Sequence, residues 1–202
     1  MFYIRRFKAL KYLVIIYFTL GIYDKMITKY RLMLKYVSAV TRNESTEAIN
    51  IILDKIALAK ELLVLVEMYE ITLEALKILN NERILFTTYL KLAKVYLEQQ
   101  KLRALDNLIS ILKKSCQTSD GYDDPTKGNS LLEIYCIEIQ MCSIANDTNR
   151  MKQVYPKTLS LNTAVVVPKI MGVIREEGGK MQMLEGRHSL IEATLILLTD
   201  SV

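Results

Sequence analysis

Two adjacent glycines, Gly178 and Gly179, sit inside the segment PKIMGVIREEGGKM (Pro168 to Met181), which otherwise carries the apolar spacing of an amphipathic helix. Each glycine costs a helix interior about 1 kcal/mol relative to alanine, so a consecutive pair calls for a compensating contact. The close approach of a neighbouring helix is such a contact, because a residue without Cβ lets other atoms come nearest its backbone. The feature therefore predicts helices stacked on helices. Composition agrees: seven Gly and three Pro in 202 residues leave little room for the turns of an all-β fold, while Leu, Ile, Lys, Glu and Ala dominate. With 51% hydrophobic residues the chain can bury a substantial core. The fold class is all-α.

Helical periodicity runs through most of the chain and breaks at intervals that predict about five helix pairs, with a period of roughly 35 to 40 residues, the range of tetratricopeptide-like repeats. The first pair is Phe7 to Leu20 and Asp24 to Val37, turning at Gly21. The second is Ser45 to Ala59 and Glu61 to Leu79, with Ser45 as a helix start and Asn80-Asn81 as a stop. The third, Arg83 to Gln100 and Leu102 to Ser115, carries Leu92, Ala93 and Tyr96 at the repeat spacing, with Leu105, Ile109 and Leu112 packing back; Leu105 stands where a small residue is usual. The Gly-, Pro-, Asp- and Asn-rich stretch from Cys116 to Asn129 reads as a solvated loop with no packed element, and its aspartates miss the calcium-loop spacing. A fourth pair, Ser130 to Ala145 and Asn149 to Leu161, contains Pro156, which conflicts with a helix interior. Pro168 opens the last pair, whose end, Leu190 to Leu198, is an apolar face in need of a cap. One helical-repeat domain over residues 1–202 is expected.

Charge is distributed unevenly. Up to Arg42 there are nine basic residues against the single acid Asp24, a net +8, whereas the remainder carries 18 basic and 21 acidic residues, a net −3. A field of one sign at one end attracts an acidic protein face, a polyanionic small molecule or nucleic acid. The basic N-terminus is followed by the apolar run Tyr12 to Tyr23, about twelve residues against the ~20 needed to cross a bilayer. Two readings follow: a helix covered on both sides by its partner and the next pair, or an uncleaved anchor or interfacial helix.

Chemistry is sparse. Cys116, Cys136 and Cys142 form no C-x-x-C pair and read as buried thiols in a reducing compartment, and His188 is the single histidine. No nucleophile elbow, P-loop, zinc-protease or dinucleotide motif is present. Glu176 and Glu177, neighbours on a helix, point about 100° apart and read as a solvated face rather than a convergent pair. No catalytic residue, no metal site and no enzymatic activity are expected.

FKALK (Phe7 to Lys11), SAVTRN (Ser38 to Asn43), TLEALK (Thr72 to Lys77), LLEIYCIEIQM (Leu131 to Met141) and the double-glycine segment together resemble the signalosome subunit 2 family, collinearly from about Phe7 to Arg187. More distantly they are similar to a related helical subunit of the 26S proteasome lid. The resemblance implies a right-handed superhelix of tetratricopeptide-like pairs (an α-α solenoid). It also implies a scaffold role, in which such proteins contribute to cullin-RING ligase binding while a separate metal-dependent subunit removes the ubiquitin-like modifier from the cullin. A nuclear and cytoplasmic location and a corepressor-type adaptor role come with it. The family's acidic leading segment and its C-terminal winged-helix PCI module have no counterpart in this sequence, which puts stable incorporation in doubt. The resemblance further implies that basic residues hold an inositol polyphosphate such as inositol hexakisphosphate: Lys8 and Lys11 of FKALK, Arg42 of SAVTRN and Arg83 of NNERILF. The expected partners are signalosome subunits and cullin-RING ligase components, without specific nucleic-acid binding and without a membrane partner.

Overall fold

The computed structural model describes residues 2–58, 62–79, 82–161 and 167–184. Among these residues there are nine α-helices: α1 (Phe2–Thr19), α2 (Tyr23–Leu34), α3 (Arg42–Leu58), α4 (Leu62–Leu79), α5 (Glu82–Glu98), α6 (Leu102–Ser115), α7 (Gly128–Ala145), α8 (Thr148–Ser160) and α9 (Pro168–Leu184). Short 3-10 turns cover Val37–Ala39 and Pro125–Lys127. No strand occurs among the described residues, as the all-α reading requires. The expected apolar end face, Leu190 to Leu198, and the Asn80-Asn81 stop lie outside the described residues. The helices pack into two compact units, Met1–Val95 and Tyr96–Val202.

In the first unit α1 and α2 form a pair that turns at Gly21, whose φ of 71° is a conformation that favours glycine. Phe7, Leu10 and Val14 of α1 and Met26, Tyr30 and Met33 of α2 are buried, and against them pack Ile49, Ile52 and Ile56 of α3 and Leu65, Met68 and Leu76 of α4. Burying the Tyr30 phenol requires a partner. Its hydroxyl meets Thr72 Oγ1 at 2.6 Å, and Thr72 in turn donates to the Met68 carbonyl at 2.6 Å. Helix α3 starts at Arg42 rather than Ser45. Thr41 and Glu44 form a capping box: the Glu44 N–H donates to Thr41 Oγ1 at 3.3 Å and the Thr41 hydroxyl donates to the Glu44 carboxylate at 3.2 Å. Ser45 is instead buried, its hydroxyl donating to the Arg42 carbonyl.

The outer face of α1 departs from the covered-helix reading. Tyr12, Leu13, Ile16 and the adjoining Leu20 are exposed, so the first unit packs one side of α1 and leaves the other open. No described helix is long and apolar enough to cross a membrane.

The second unit is built on α7, which is buried along most of its length and packs against α6, α8 and α9. Leu105, bulky for its repeat position, is fully enclosed. The segment between α6 and α7 is largely exposed, as its composition predicts, but it is internally ordered: the Asp124 N–H donates to the Cys116 carbonyl, the Asp124 carboxylate caps Thr126, and the Tyr135 hydroxyl donates to the Asp123 carboxylate. Helix α8 continues through Pro156, whose ring lies on the exposed side, where water can compensate for the missing donor. Of the two adjacent glycines in α9, Gly178 meets the predicted close approach: a Cβ there would fall within the Tyr155 ring of α8. Gly179 faces open space, and nothing in the structure explains it. Glu176 and Glu177 do converge, on a cation: Lys180 Nζ lies 2.7 Å from Glu176 and 2.8 Å from Glu177. The flexible lysine reaches both because it stands one helical turn further on, three and four residues away.

Candidate polyanion-binding groove

Helix periodicity determines which polar residues of the first unit come together. On α3, Arg42, Asn43, Thr46 and Asn50 fall on one stripe, and on α5, Arg83 and Thr87 do the same one turn apart. The two stripes line a groove of about 400 Å³ together with Ile84, a volume in the range of small-ligand sites. Neither Arg42 nor Arg83 forms an ion pair among the described residues, so both guanidinium groups remain available to an incoming anion. Thr46 and Thr87 donate their hydroxyls to the carbonyls of Arg42 and Arg83, at 2.6 and 2.9 Å, which leaves their oxygens as acceptors. Asn50 accepts from Lys91 of α5 at 3.3 Å, and that ammonium also pairs with Asp54 at 2.8 Å, placing a third cation at the groove's edge.

Lys8 lies elsewhere. It stands on α1 and pairs with Glu44 of α3 at 3.2 Å, with both side chains substantially exposed. The Glu44 carboxyl is held below the usual carboxylate range, first by the hydrogen bond from Lys8 and then by Thr41. Lys8 is therefore engaged by an acid two residues from Arg42, whereas Lys11 is half-buried one turn further along α1. Of the four basic residues the sequence singles out, Arg42 and Arg83 are brought to one groove and Lys8 is connected to its rim through Glu44. The groove's other polar groups, Asn43, Thr46, Asn50, Thr87 and Lys91, went unread, although the spacing of Arg83, Thr87 and Lys91 at successive turns is itself a signal of one polar helix face.

This arrangement can bind and orient an anion: guanidinium forks match phosphate oxygens in pairs, and the amides and hydroxyls supply further donors and acceptors. It contains no nucleophile with a neighbouring base. Among the described residues no group of three His, Cys, Asp or Glu is placed to hold a metal ion. Cys142 and Cys116 are not activated thiols either, since burial pushes Cys142 up to about 11 and raises Cys116 as well.

The second unit contains a concentrated charge cluster of its own. Glu138 of α7 is 1% exposed and accepts from Arg150 Nε and Nη2 at 2.9 and 2.8 Å, while Lys113 of α6 approaches its other oxygen at 2.5 Å as a charge pair. Arg150 also reaches Asp106 at 2.7 Å. With Arg150 on α8, this network ties three helices together.

No protein-family model matches the chain. Among curated proteins it is 45% identical over 181 residues to the COP9 signalosome complex subunit 2 of Drosophila melanogaster, a match covering 89% of this chain and 41% of that protein. It is 43% identical over 184 residues to the subunit of the same name from Emericella nidulans, covering 89% of this chain and 36% of that protein. For the Dictyostelium discoideum subunit the figures are 38% over 182 residues, 89% and 40%. The resemblance read from the five sequence segments is thus to signalosome subunit 2, and it extends through both units. The chain spans about two fifths of the length of the curated relatives it matches.

Proposed function

We propose that this chain, whose curated relatives are COP9 signalosome complex subunit 2 proteins, works as a noncatalytic interaction scaffold that binds signalosome and cullin-RING ligase components and so contributes to the regulation of cullin deneddylation. The observation that carries this reading is the likeness itself: identity of 35–45% running over about nine tenths of the chain in relatives that share one name. The fold is compatible with it, because stacked helix pairs present extended surfaces to partner chains. Affinity purification of the tagged chain tests the proposal. Recovery of signalosome subunits or cullins is expected, and recovery of neither from cells containing the intact protein would remove the function and leave only the fold.

Within this reading the groove of Arg42 and Arg83 is the polyanion site, and inositol hexakisphosphate is the ligand it would take. Support comes from two guanidinium groups, neither ion-paired among the described residues, lining one groove of suitable size. Lys8 takes part by exchanging Glu44 for a phosphate oxygen, with Lys11 contributing to the field. Calorimetric titration with inositol hexakisphosphate and with random duplex DNA discriminates a site from a general basic surface. Arg42→Glu and Arg83→Glu should each abolish inositol polyphosphate binding, Lys8→Glu should weaken it, and DNA should bind weakly throughout. Equal binding by wild type and the arginine variants would refute the assignment.

A further inference from the structure

The two stripes that line the Arg42 and Arg83 groove continue past its end. On α5 the residues follow at four-residue steps from Arg83 through Thr87 to Lys91, and on α3 from Thr46 through Asn50 to Asp54. Arg83, Thr87, Thr46 and Asn50 line the groove, whereas Lys91 and Asp54 stand one turn beyond, where the stripes meet as an ion pair with Nζ 2.8 Å from Asp54 Oδ1. The same ammonium donates to Asn50 Oδ1 at 3.3 Å, so it lies within hydrogen-bond reach of the groove wall. The groove therefore ends in a cation held by a carboxylate.

This pair is not built as a permanent clamp. Asp54 is 60% exposed and Lys91 30%, and pairs open to water hold their partners weakly. An ammonium has three donors, and among the described residues two are taken, one of them at the long distance to Asn50. A terminal phosphate carries about two negative charges and three strong acceptor oxygens, against the single charge of Asp54. Once seated on Arg42 and Arg83 it outcompetes that carboxylate for Lys91, and Asp54, already mostly in water, gives way to the like charge beside it. The opposite rim repeats the arrangement: Lys8, from α1, is held at 3.2 Å by Glu44, a partly exposed carboxylate of α3.

We propose that Lys91 is a third anion-binding residue of this groove, kept in reserve by Asp54. A polyphosphate seated on Arg42 and Arg83 draws the Lys91 ammonium from Asp54 onto a phosphate oxygen, and the released carboxylate turns to solvent. Asp54 is thus a built-in competitor: a ligand whose charge the two arginines already satisfy leaves the pair closed, and one with further phosphates opens it. The inference rests on the groove being the polyanion site, and it adds the residue that limits the affinity of that site.

Calorimetric titration of the full chain with inositol hexakisphosphate at one fixed salt concentration tests the proposal in wild type, Lys91→Met, Asp54→Asn and the two substitutions combined. Lys91→Met should weaken binding about tenfold, the order for losing one hydrogen bond to a charged group. Asp54→Asn should tighten it about threefold, because no carboxylate has to be displaced from Lys91. Poor folding cannot imitate such a gain. In the combined variant the gain should be clearly smaller, since no lysine is left to release. A carboxylate that acts only through its charge at a distance would give the same gain with and without Lys91. Binding by Lys91→Met within about twofold of wild type, a difference of about 0.4 kcal/mol, or equal tightening by Asp54→Asn in both backgrounds, would overturn the proposal. Either result, alongside loss of binding in Arg42→Glu and Arg83→Glu, would overturn it alone and leave the groove assignment standing. Absence of binding by wild type would overturn both.

Discussion

Replacing Glu138 by glutamine removes one charge while keeping the side-chain shape, and the structure allows the consequence to be sized. The Glu138 side chain is 2% exposed, while Lys113 and Arg150 are 24% and 31% exposed, so both cations are drawn from water toward one buried anion. In Glu138→Gln the amide oxygen can still accept from Arg150, but its NH2 group must face the Lys113 ammonium or leave that cation without a counter-charge. Breaking a buried pair by removing one partner costs about 3–5 kcal/mol. Partial exposure lets water recover some of this, which points to the lower end, about 3 kcal/mol, and a fall in melting temperature of roughly 6–12 °C for a chain of this size. Removing both partners should cost less than removing one. In Glu138→Met combined with Arg150→Leu no anion remains buried, Asp106 and Lys113 can turn to solvent, and an apolar contact replaces the two hydrogen bonds to one oxygen. Urea unfolding followed by far-ultraviolet circular dichroism, with scanning calorimetry of the same variants, measures both quantities. A Glu138→Gln protein within about 0.5 kcal/mol of wild type would show that water, not the network, compensates these charges. A double variant less stable than the sum of its single variants would refute the argument that uncompensated burial, rather than the loss of the contact, is what destabilises.

Three further outcomes follow from single contacts. Gly178→Ala should destabilise by about 1–3 kcal/mol, because its Cβ would displace the Tyr155 ring, whereas Gly179→Ala should be neutral or stabilising by up to about 1 kcal/mol through helix propensity; equal effects in denaturant titrations would contradict the packing of α8 on α9. Thr41→Ala removes the cap of α3 and should cost about 1 kcal/mol, with Thr41→Ser close to wild type in the same assay. The Glu44 carboxyl is depressed, chiefly by Lys8, so the stability it contributes is present above its ordinary range and is lost as pH falls below about 4; Lys8→Ala should remove that acid-sensitive component, read as a smaller difference in urea midpoint between neutral and acidic pH, and an unchanged difference would contradict the pairing.

How far the sequence could be read depended on whether a feature is set by its neighbours along the chain or by atoms distant from it. Gly178 was legible because a glycine inside an apolar helical pattern has few explanations, yet its twin Gly179 shows that the same signal can stand without a contact. The capping box was written out as Thr41 to Glu44, but Ser45 with the acid and alanine after it offered a second plausible start, and local preference alone does not choose between starts three residues apart. The turn after α6 is as exposed as its composition suggests, but part of its order comes from a residue distant in sequence: Tyr135, on the next helix, donates its hydroxyl to the Asp123 carboxylate. Arg42 and Arg83 were found through two family segments, but only the packing of α3 beside α5 shows that they share a groove, with Lys8 joined to its edge through Glu44. The outer face of α1 marks the limit. A helix apolar on all sides has the same sequence whether two neighbours cover it or one does, since exposure is decided by what is packed nearby. Among the described residues α1 has neighbours on one side only, a distinction that periodicity alone does not draw.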